Sequence, residues 1–318
     1  MSTITNLSPI DCEIASYVTS RGTVVPVSSR RRHGLAGSPI HTSRNSAAIS
    51  ARGTRGQAPR LPDSRVAASA SLGEPLSWGA GPAEPLVCRD DDSTKVTQPG
   101  QSMDPHTTLV HEIEAEVQAT AGWTGRQHLA PCVRAALLAV RRAAFVPVAL
   151  WAEAYANHPL RIGHGQTISQ PFIVALMTEL LDPEPDHVVL EVGTGSGYQA
   201  AVLAALVRHV YSIEIIATLS TQAGVALAQE GVGNVTLRVS DGAAGWPEHA
   251  PYDGIIVTAA GPTVPQALIA QLRPGGRMVI PLGEPHDDQM LTLVVKDADG
   301  GVTRKDILPV AFVPLTGG

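Results

Sequence analysis

A glycine-rich segment in the second half of the chain limits the folds open to this sequence more than any other. A β-rich apolar run at residues 187–192 leads into Gly193-Thr194-Gly195-Ser196-Gly197, and a helical run follows at residues 198–206. Glycines let the backbone turn tightly and let a ligand approach without meeting a Cβ atom. The segment therefore predicts a strand, a tight turn and a helix, the unit from which parallel α/β sheets are built.

The same alternation extends on both sides of this segment. Alternating strands and helices imply a mostly parallel sheet that is covered on both faces. The last two strand-like runs are joined by a turn around Asp299-Gly300-Gly301 and predict an antiparallel pair. The expected fold is α/β, a doubly wound, Rossmann-like and mostly parallel sheet with an antiparallel C-terminal hairpin. The predicted elements are helices at 109–117, 131–144, 217–229 and 264–272 and strands at 210–213, 235–239, 255–258, 278–281, 290–295 and 307–313.

Composition divides the chain into two parts. Residues 1–102 are rich in Ser, Arg, Ala, Gly and Pro and show no sustained period, so we expect a disordered leader. Residues 103–318 have the composition of a folded domain. Residues 1–100 carry 11 Lys or Arg and 8 Asp or Glu, whereas residues 101–318 carry 12 and 21. The acidic folded part argues against nucleic acid as a partner.

Cysteine usage and hydropathy bear on the compartment. Cys12, Cys88 and Cys132 lie far apart, with no CxxC pair and no nearby group of histidines, so we expect neither a disulfide framework nor a metal site. A reducing cytoplasm is the compartment that this cysteine usage fits most simply. No run reaches the roughly 18 apolar residues that a membrane helix needs, so no membrane association is expected. The chain is expected to act as a monomer.

The spacing of the glycines bears on the ligand. Dinucleotide-binding folds use Gly-x-Gly-x-x-Gly, whereas here Tyr198 stands where the third glycine is required, which favours S-adenosylmethionine over NAD. Glu214 closes the next strand, where an acidic residue accepts hydrogen bonds from ribose hydroxyls, and Asp241-Gly242 follows the third strand, near the place for adenine. Each feature alone has a purely structural explanation as a turn or a cap. Their order at successive strand ends favours a nucleoside cofactor.

A polar segment precedes this region and carries the clearest indication of the substrate. Gly163-His164-Gly165-Gln166-Thr167-Ile168-Ser169-Gln170-Pro171 leads into an apolar helical run. The residue pattern alone predicts a loop, with Ser169 as N-cap of the helix. The segment resembles the Gly-Gln-Thr-Ile-Ser-Gln-Pro hallmark of protein-L-isoaspartate O-methyltransferases, and the resemblance runs from about residue 109 to residue 316. Other family-like segments are Phe145-Val146-Pro147, Tyr155, residues 191–197, Asp241-Gly242 with Gly245, Pro251-Tyr252-Asp253, Thr258-Ala259-Ala260, Gln271-Leu272, Gly275-Gly276, Pro281-Leu282-Gly283 and Val313-Pro314-Leu315-Thr316.

The resemblance implies a reaction and a set of site residues. The reaction is methyl transfer from S-adenosylmethionine to the α-carboxylate of L-isoaspartyl residues in damaged proteins and peptides. Ser169 is implied to be the active-site hydroxyl, and no metal is expected. The residues expected at the cofactor are Gln166, Thr167, Ile168, Glu191, Gly193, Thr194, Gly195, Ser196, Gly197, Glu214, Asp241, Gly242 and Thr316.

Two other functions stay open on the sequence. One is a methyltransferase that acts on an aspartate of a single dedicated peptide, which activity on unrelated isoaspartyl peptides would separate from general repair. The other is a nucleoside-binding module that binds cofactor without turnover. Three positions depart from the family pattern, because Ser240 replaces a glycine, Asn157 an aspartate and Arg141 a proline. These departures leave the local loop geometry open.

Overall fold

The computed structural model describes residues 104–284 and 288–316 of the 318-residue chain. The leader predicted at residues 1–102 lies outside these ranges. Short 3₁₀ turns occur at Arg142–Phe145, Val148–Glu153, Gly242–Ala244 and Pro247–His249. The helices are α1 (Pro105–Ala119), α2 (Ala121–Thr124), α3 (Pro131–Ala139), α4 (Pro171–Leu181), α5 (Tyr198–Ala204), α6 (Ala217–Gln229) and α7 (Gln266–Gln271). The strands are β1 (Leu160–Gly163), β2 (Gln166–Ile168), β3 (Val188–Val192), β4 (His209–Glu214), β5 (Val235–Val239), β6 (Tyr252–Val257), β7 (Leu272–Leu282), β8 (Gln289–Lys296) and β9 (Val302–Val310).

Seven strands form the main sheet in the order β5-β4-β3-β6-β7-β8-β9. The first five are parallel, and β8 and β9 are antiparallel to their neighbours. The predicted doubly wound α/β sheet with an antiparallel C-terminal hairpin is confirmed. β3 lies between β4 and β6, so the strand order reverses at its carboxyl end. That switch point is where open α/β sheets bind ligands.

The core lies on both faces of the sheet. Successive side chains of a strand point to opposite faces, and on β3 Val189 joins one apolar cluster whereas Leu190 joins the other. Both are completely buried. Helices α1, α3, α4 and α5 contribute to the first cluster, and α7 contributes to the second. Strands covered on both faces explain the nearly continuous apolar runs in the sequence.

Several predicted elements have different bounds in the structure, and β7 covers Leu272–Leu282 rather than residues 278–281. The helix expected at residues 131–144 ends at Ala139, because the chain turns at Val140 and carries Arg142 into the interior. The last strand covers Val302–Val310 rather than residues 307–313. Its first five residues are exposed and, apart from Val302, polar, so they show no apolar pattern, yet their backbone pairs with β8.

The polar segment before α4 contains more structure than the predicted loop. β1 and β2 form an antiparallel hairpin around His164 and Gly165, which have φ values of 53° and 74°. The N-cap of α4 is Gln170 and not Ser169, and Gln170 makes no side-chain cap bond. Asn157 instead supplies the capping oxygen from a distant loop, because its Oδ1 accepts a hydrogen bond from Phe172 N at 3.0 Å. The predicted capping role of Ser169 is therefore wrong.

One cysteine expectation is also corrected. Cys132, which is buried in α3, forms a disulfide bond. Wide spacing along the sequence does not prevent a disulfide, because pairing depends on distance in the folded chain. In the described part of the chain, no helix is both long enough and apolar enough to span a lipid bilayer.

Candidate active site

A cavity opens at the carboxyl ends of β3, β4 and β6. It encloses about 770 Å³ when its open side is counted. Most of its lining comes from four segments of the chain: the β2 strand and Ser169, the glycine turn, the end of β4, and residues 313–316. The cavity therefore lies at the switch point of the sheet, as the strand order predicts.

The glycine turn is fixed to the strands on either side of it. Gly193 N and Thr194 N both donate to the carbonyl of Ile213 on β4, at 2.8 and 3.2 Å. On the β6 side, Thr258 Oγ1 donates to Gly193 O at 2.7 Å. Gly193 has a φ of 99°, and a Cβ atom there would lie 2.3 Å from Thr258 Oγ1. Only glycine fits this position, for both conformational and steric reasons.

Glu214 ends β4 with its carboxylate turned towards the glycine turn. It is buried, with 6% of its surface exposed. Its Oε2 accepts a hydrogen bond from Gly195 N at 2.8 Å, and its Oε1 accepts one from Ile216 N at 3.0 Å. Each carboxylate oxygen has a second lone pair. Glu214 therefore holds the turn in place and can still accept hydrogen bonds from a ligand in the cavity.

A buried polar chain lies behind the glycine turn. Thr194 Oγ1 and Ser212 Oγ are 2.6 Å apart, and Ser212 Oγ donates to the Glu191 carboxyl group. Glu191 is completely buried, and burial raises its pKa to about 8. Its Oε1 has no hydrogen-bond partner among the described residues. A protonated carboxyl group fits this apolar site better than an ion, because an unpaired buried charge is costly.

Asp241 and Gly242 have different roles from each other. The Asp241 side chain accepts a hydrogen bond from Ala243 N at 2.9 Å and caps the following 3₁₀ turn. Gly242 lines the cavity, and a Cβ atom there would lie 2.3 Å from Val192 Cγ1. The absence of a side chain at Gly242 allows the segment after β5 to approach the end of β3.

Residues 313–316 form one wall of the cavity. Ala260 N donates to Val313 O at 2.8 Å, and Leu315 N donates to Ala260 O at 2.7 Å. These bonds fix the segment beside the end of β6 and place Thr316 in the lining. Ser169 belongs to the same lining. Its hydroxyl makes no hydrogen bond within the described residues, so it is available to a ligand.

The structure brings most of the predicted site residues together, with three exceptions. Glu191 lies behind the turn, Asp241 caps its own loop, and Gly197 packs towards Ala223 of α6, so these three are not part of the lining. The predicted residues that line the cavity are Gln166, Thr167, Ile168, Ser169, Gly193, Thr194, Gly195, Ser196, Glu214, Gly242 and Thr316.

Several lining residues were not predicted as site residues. Ile215 follows Glu214 and exposes 42% of its surface, which offers an apolar contact at the end of β4. Its position directly after the predicted acidic residue is the only sequence signal for it. Tyr198 and Gln199 belong to α5, and Thr258 follows β6. None of the three was predicted as a cofactor residue, although Thr258 belongs to the family-like segment Thr258-Ala259-Ala260.

The residues present suit a nucleoside-type cofactor. Gln199 Nε2 donates to Thr178 Oγ1 at 2.9 Å, but the Gln199 Oε1 atom is buried with no partner among the described residues. A buried acceptor at a cavity calls for a donor from a ligand or from water. Together with the Glu214 carboxylate and the apolar Ile215, it gives the cavity acceptors for hydroxyl or amine groups and one apolar surface for a ring.

Solved structures share this fold. A putative protein-L-isoaspartate O-methyltransferase of Plasmodium falciparum, solved in complex with S-adenosyl-L-homocysteine, is 22% identical, has a TM-score of 0.56, and covers 67% of this chain and 99% of its own. A second structure, a protein-L-isoaspartate O-methyltransferase, is 26% identical with a TM-score of 0.57 and covers 67% of this chain and 66% of its own. Both likenesses support the fold described above.

Curated proteins are more similar in sequence. Protein-L-isoaspartate O-methyltransferase 2 of Syntrophobacter fumaroxidans is 53% identical over 223 residues, which are 69% of this chain and 90% of that protein. The protein of the same name from Polaromonas sp. is 56% identical over 209 residues, or 66% and 99% of the two chains. The sequence model of the protein-L-isoaspartate(D-aspartate) O-methyltransferase family matches residues 124–318. The chain therefore belongs to the protein-L-isoaspartate(D-aspartate) O-methyltransferase family.

Proposed function

We propose that the chain repairs damaged proteins by transferring a methyl group from S-adenosylmethionine to the α-carboxylate of L-isoaspartyl residues. The observation that carries the proposal is the shared cavity. Ser169, from the segment typical of the family, lies in the same cavity as the glycine turn and Glu214. One cavity thus holds a hydroxyl for the substrate and acceptors for the cofactor.

The cofactor would be held by the residues at the strand ends. Glu214 would accept hydrogen bonds from the ribose hydroxyls, Ile215 would contact the adenine ring, and Gln199 Oε1 would accept from the amino group of the methionine part. The glycine turn would leave room for the nucleoside because no side chain projects from Gly193 or Gly195. When bound, S-adenosylmethionine supplies a methyl group on a positively charged sulfur.

The chain's own contribution to the reaction is positioning. An α-carboxylate has a reference pKa of about 3.3 to 3.7, so the nucleophile is ionised at neutral pH and needs no general base. Tyr198 lines the cavity, and burial raises its pKa to about 12, so its hydroxyl stays protonated at neutral pH. The Ser169 hydroxyl would donate a hydrogen bond to one carboxylate oxygen and leave the other free for attack. Holding two reactants in line and excluding water accounts for catalysis here.

A methyl-transfer assay tests this function. Labelled S-adenosylmethionine is supplied with a short isoaspartyl peptide and with its normal aspartyl twin, and transfer is expected to the isoaspartyl peptide alone. Transfer to neither peptide, with S-adenosylhomocysteine still bound, would favour the dedicated-peptide alternative. The absence of both methyl transfer and cofactor binding would contradict a methyltransferase function of any kind.

The variant Ser169→Ala tests the role of the hydroxyl. A hydrogen bond to a charged group contributes about 1.5 to 3 kcal/mol, so we expect kcat/KM for the peptide to fall roughly 10- to 150-fold, while the Kd of S-adenosylhomocysteine stays within twofold. Ser196→Ala, at a lining position on the cofactor side, is the matched comparison and is expected to change cofactor affinity first. An equal loss of activity and affinity in Ser169→Ala would make Ser169 a structural residue.

We further propose the domain bounds, the oligomeric state and the cellular compartment of the enzyme. Residues 103–318 form the methyltransferase domain, and the chain acts as a monomer without nucleic acid. The large apolar side chains that the described surface exposes are spread over several elements, such as α2, α6 and β9, although Val148 and Trp151 share the 3₁₀ turn Val148–Glu153. Light scattering and a nucleic-acid mobility assay test these statements.

The proposed compartment is the cytoplasm, where the Cys132 disulfide would be reduced. Cell fractionation followed by thiol alkylation tests both the compartment and the reduced state of Cys132.

A further inference from the structure

Arg142 is a buried cation without a carboxylate partner. Its side chain is completely buried at the start of the 3₁₀ turn that follows α3. None of the ion pairs among the described residues includes it. Burial lowers its pKa to about 10, so the guanidinium remains charged at neutral pH. A buried charge is costly unless hydrogen bonds compensate it.

The compensation comes from backbone carbonyl groups of two separate segments. Arg142 Nη1 donates to Ala154 O at 2.6 Å, and Nη2 donates at 3.1 Å both to His158 O and to Ser169 O. A longer contact of 3.5 Å joins Nη1 to Ala156 O. The guanidinium therefore ties the loop at residues 154–158 to the peptide unit of Ser169. A planar fork of donors is suited to this task, because it reaches several acceptors in fixed directions.

The same loop holds the chain on the far side of Ser169. Asn157 Oδ1 accepts the hydrogen bond from Phe172 N at 3.0 Å, at the start of α4. The segment that contains Ser169 is thus bound at its carbonyl by Arg142 and two peptide units later by Asn157. Because no hydrogen bond among the described residues restrains the Ser169 hydroxyl, the backbone sets the position of its Cβ atom and thereby the few rotamer positions that the hydroxyl can occupy.

We propose that Arg142 is a positioning residue for methyl transfer, which acts through the carbonyl oxygen of Ser169 to place the Ser169 hydroxyl. The inference rests on the proposed function of Ser169. A small displacement of a positioning group lowers the rate strongly, since a shift of about 1 Å costs on the order of 100-fold. Lysine keeps the charge at this position but presents one ammonium group, so it does not reach both carbonyl segments.

The test compares two neighbouring arginines. Arg142→Lys is expected to lower kcat/KM for the isoaspartyl peptide by roughly 10- to 100-fold, with the Kd of S-adenosylhomocysteine within twofold of wild type. Arg141→Lys is the matched control. Arg141 is exposed, and its guanidinium bonds Glu230 on the surface through Nη2 at 2.6 Å and Nε at 3.1 Å. The control is expected to keep full activity.

A double-mutant cycle shows whether Arg142 acts through Ser169. The variant that combines Arg142→Lys with Ser169→Ala is expected to be no less active than Ser169→Ala alone, because the group being positioned is already absent. The neutral variant Arg142→Gln repeats the cycle without a buried charge. Independent, multiplying losses in the cycle would overturn the proposal. So would a parallel loss of cofactor binding and thermal stability in both Arg142 variants, since Arg142 would then support the fold in general.

Failure of the inference differs from failure of the proposed function. If the wild-type chain does not methylate the isoaspartyl peptide, the proposed function is wrong. If the wild-type chain is active and Arg142→Lys keeps its kcat/KM within twofold, the function stands and the role assigned to Arg142 is wrong.

Discussion

At the level of single residues, Glu214 combines two tasks that ordinarily belong to separate groups. Its two oxygens hold the backbone of Gly195 and Ile216, and its carboxylate faces the cavity. In Glu214→Gln, one oxygen becomes an amide N–H₂ that opposes a backbone N–H donor. Charge-assisted bonds contribute about 1.5 to 3 kcal/mol, so we expect the Kd of S-adenosylhomocysteine to rise roughly 10- to 150-fold in calorimetric titration.

The control for Glu214→Gln is Glu248→Gln. Glu248 is an exposed carboxylate that pairs with Arg238 at 3.3 Å on the surface, and its loss is expected to leave cofactor binding unchanged. Equal affinity in wild type and Glu214→Gln would remove Glu214 from the cofactor site. An increase in Kd for Glu248→Gln as large as for Glu214→Gln would indicate a general effect of net charge.

The residues of the candidate site show where sequence reasoning works and where it stops. Glycine turns and acidic strand ends have local signatures, so Gly193, Gly195 and Glu214 were predicted and line the cavity. Glu191 was predicted from its place in the same run, but the alternation of side chains along β3 turns it to a buried position behind the turn. Gln199 reaches the cavity only because α5 packs across the sheet, a long-range fact that no local pattern contains.

At the level of elements, the contact between α1 and α4 depends on a hydrogen bond with a fixed direction. Asn157 Nδ2 donates to Glu116 Oε2 of α1 at 2.7 Å, and Asn157 Oδ1 caps α4. Burial raises the pKa of Glu116, and its bond from Asn157 opposes this shift. The family pattern often has an aspartate at position 157. In this chain, an aspartate would place a second carboxylate against Glu116.

We predict that Asn157→Asp lowers stability in a pH-dependent way. The repulsion raises a carboxyl pKa in the folded state above its unfolded value, so the penalty is absent below the unfolded pKa of about 4.3. It grows as the pH rises through the folded pKa and is complete above it. Urea unfolding is expected to show a deficit of about 2 kcal/mol at pH 8 that disappears near pH 4.

A second substitution tests the cause of this deficit. Glu116→Gln in the Asn157→Asp background restores one donor and one acceptor with their directions exchanged, because the glutamine amide donates to the new carboxylate. Most of the stability at pH 8 is expected to return. A deficit that is the same at pH 4 and pH 8, or that Glu116→Gln does not relieve, would show that charge repulsion is not its source.

The elements themselves were predictable to different degrees. The apolar strands β3, β4 and β6 were predicted near their observed bounds, because burial on both faces leaves a nearly continuous apolar signal. The partly exposed strand β5 and helix α6 were also predicted near their bounds, because their apolar residues follow the period of a strand and of a helix. The β1–β2 hairpin was missed, since its strands are short and its sequence is polar. α3 ends earlier than its apolar period because Arg142 is bound by carbonyl groups far away in the sequence.

At the level of the whole molecule, we predict that the methyltransferase domain begins at residue 103. The Cys132 disulfide offers a way to test this boundary. The other two cysteines, Cys12 and Cys88, precede residue 103, so a chain of residues 103–318 cannot form an intramolecular disulfide. A disulfide stabilises mainly by restricting the unfolded state, typically by about 2 to 4 kcal/mol. For a domain of this size, 1 kcal/mol corresponds to about 2 to 4 °C in Tm.

We predict that residues 103–318 alone keep kcat/KM for the isoaspartyl peptide within twofold of the full chain. Their Tm is expected to fall by roughly 4 to 16 °C relative to the oxidised full chain. The full-length variant Cys132→Ser, and the wild type with reductant, are expected to melt at the temperature of the shortened chain, because all three lack the same crosslink. A shortened chain that unfolds or loses activity while Cys132→Ser keeps both would show that residues 1–102 belong to the folded enzyme.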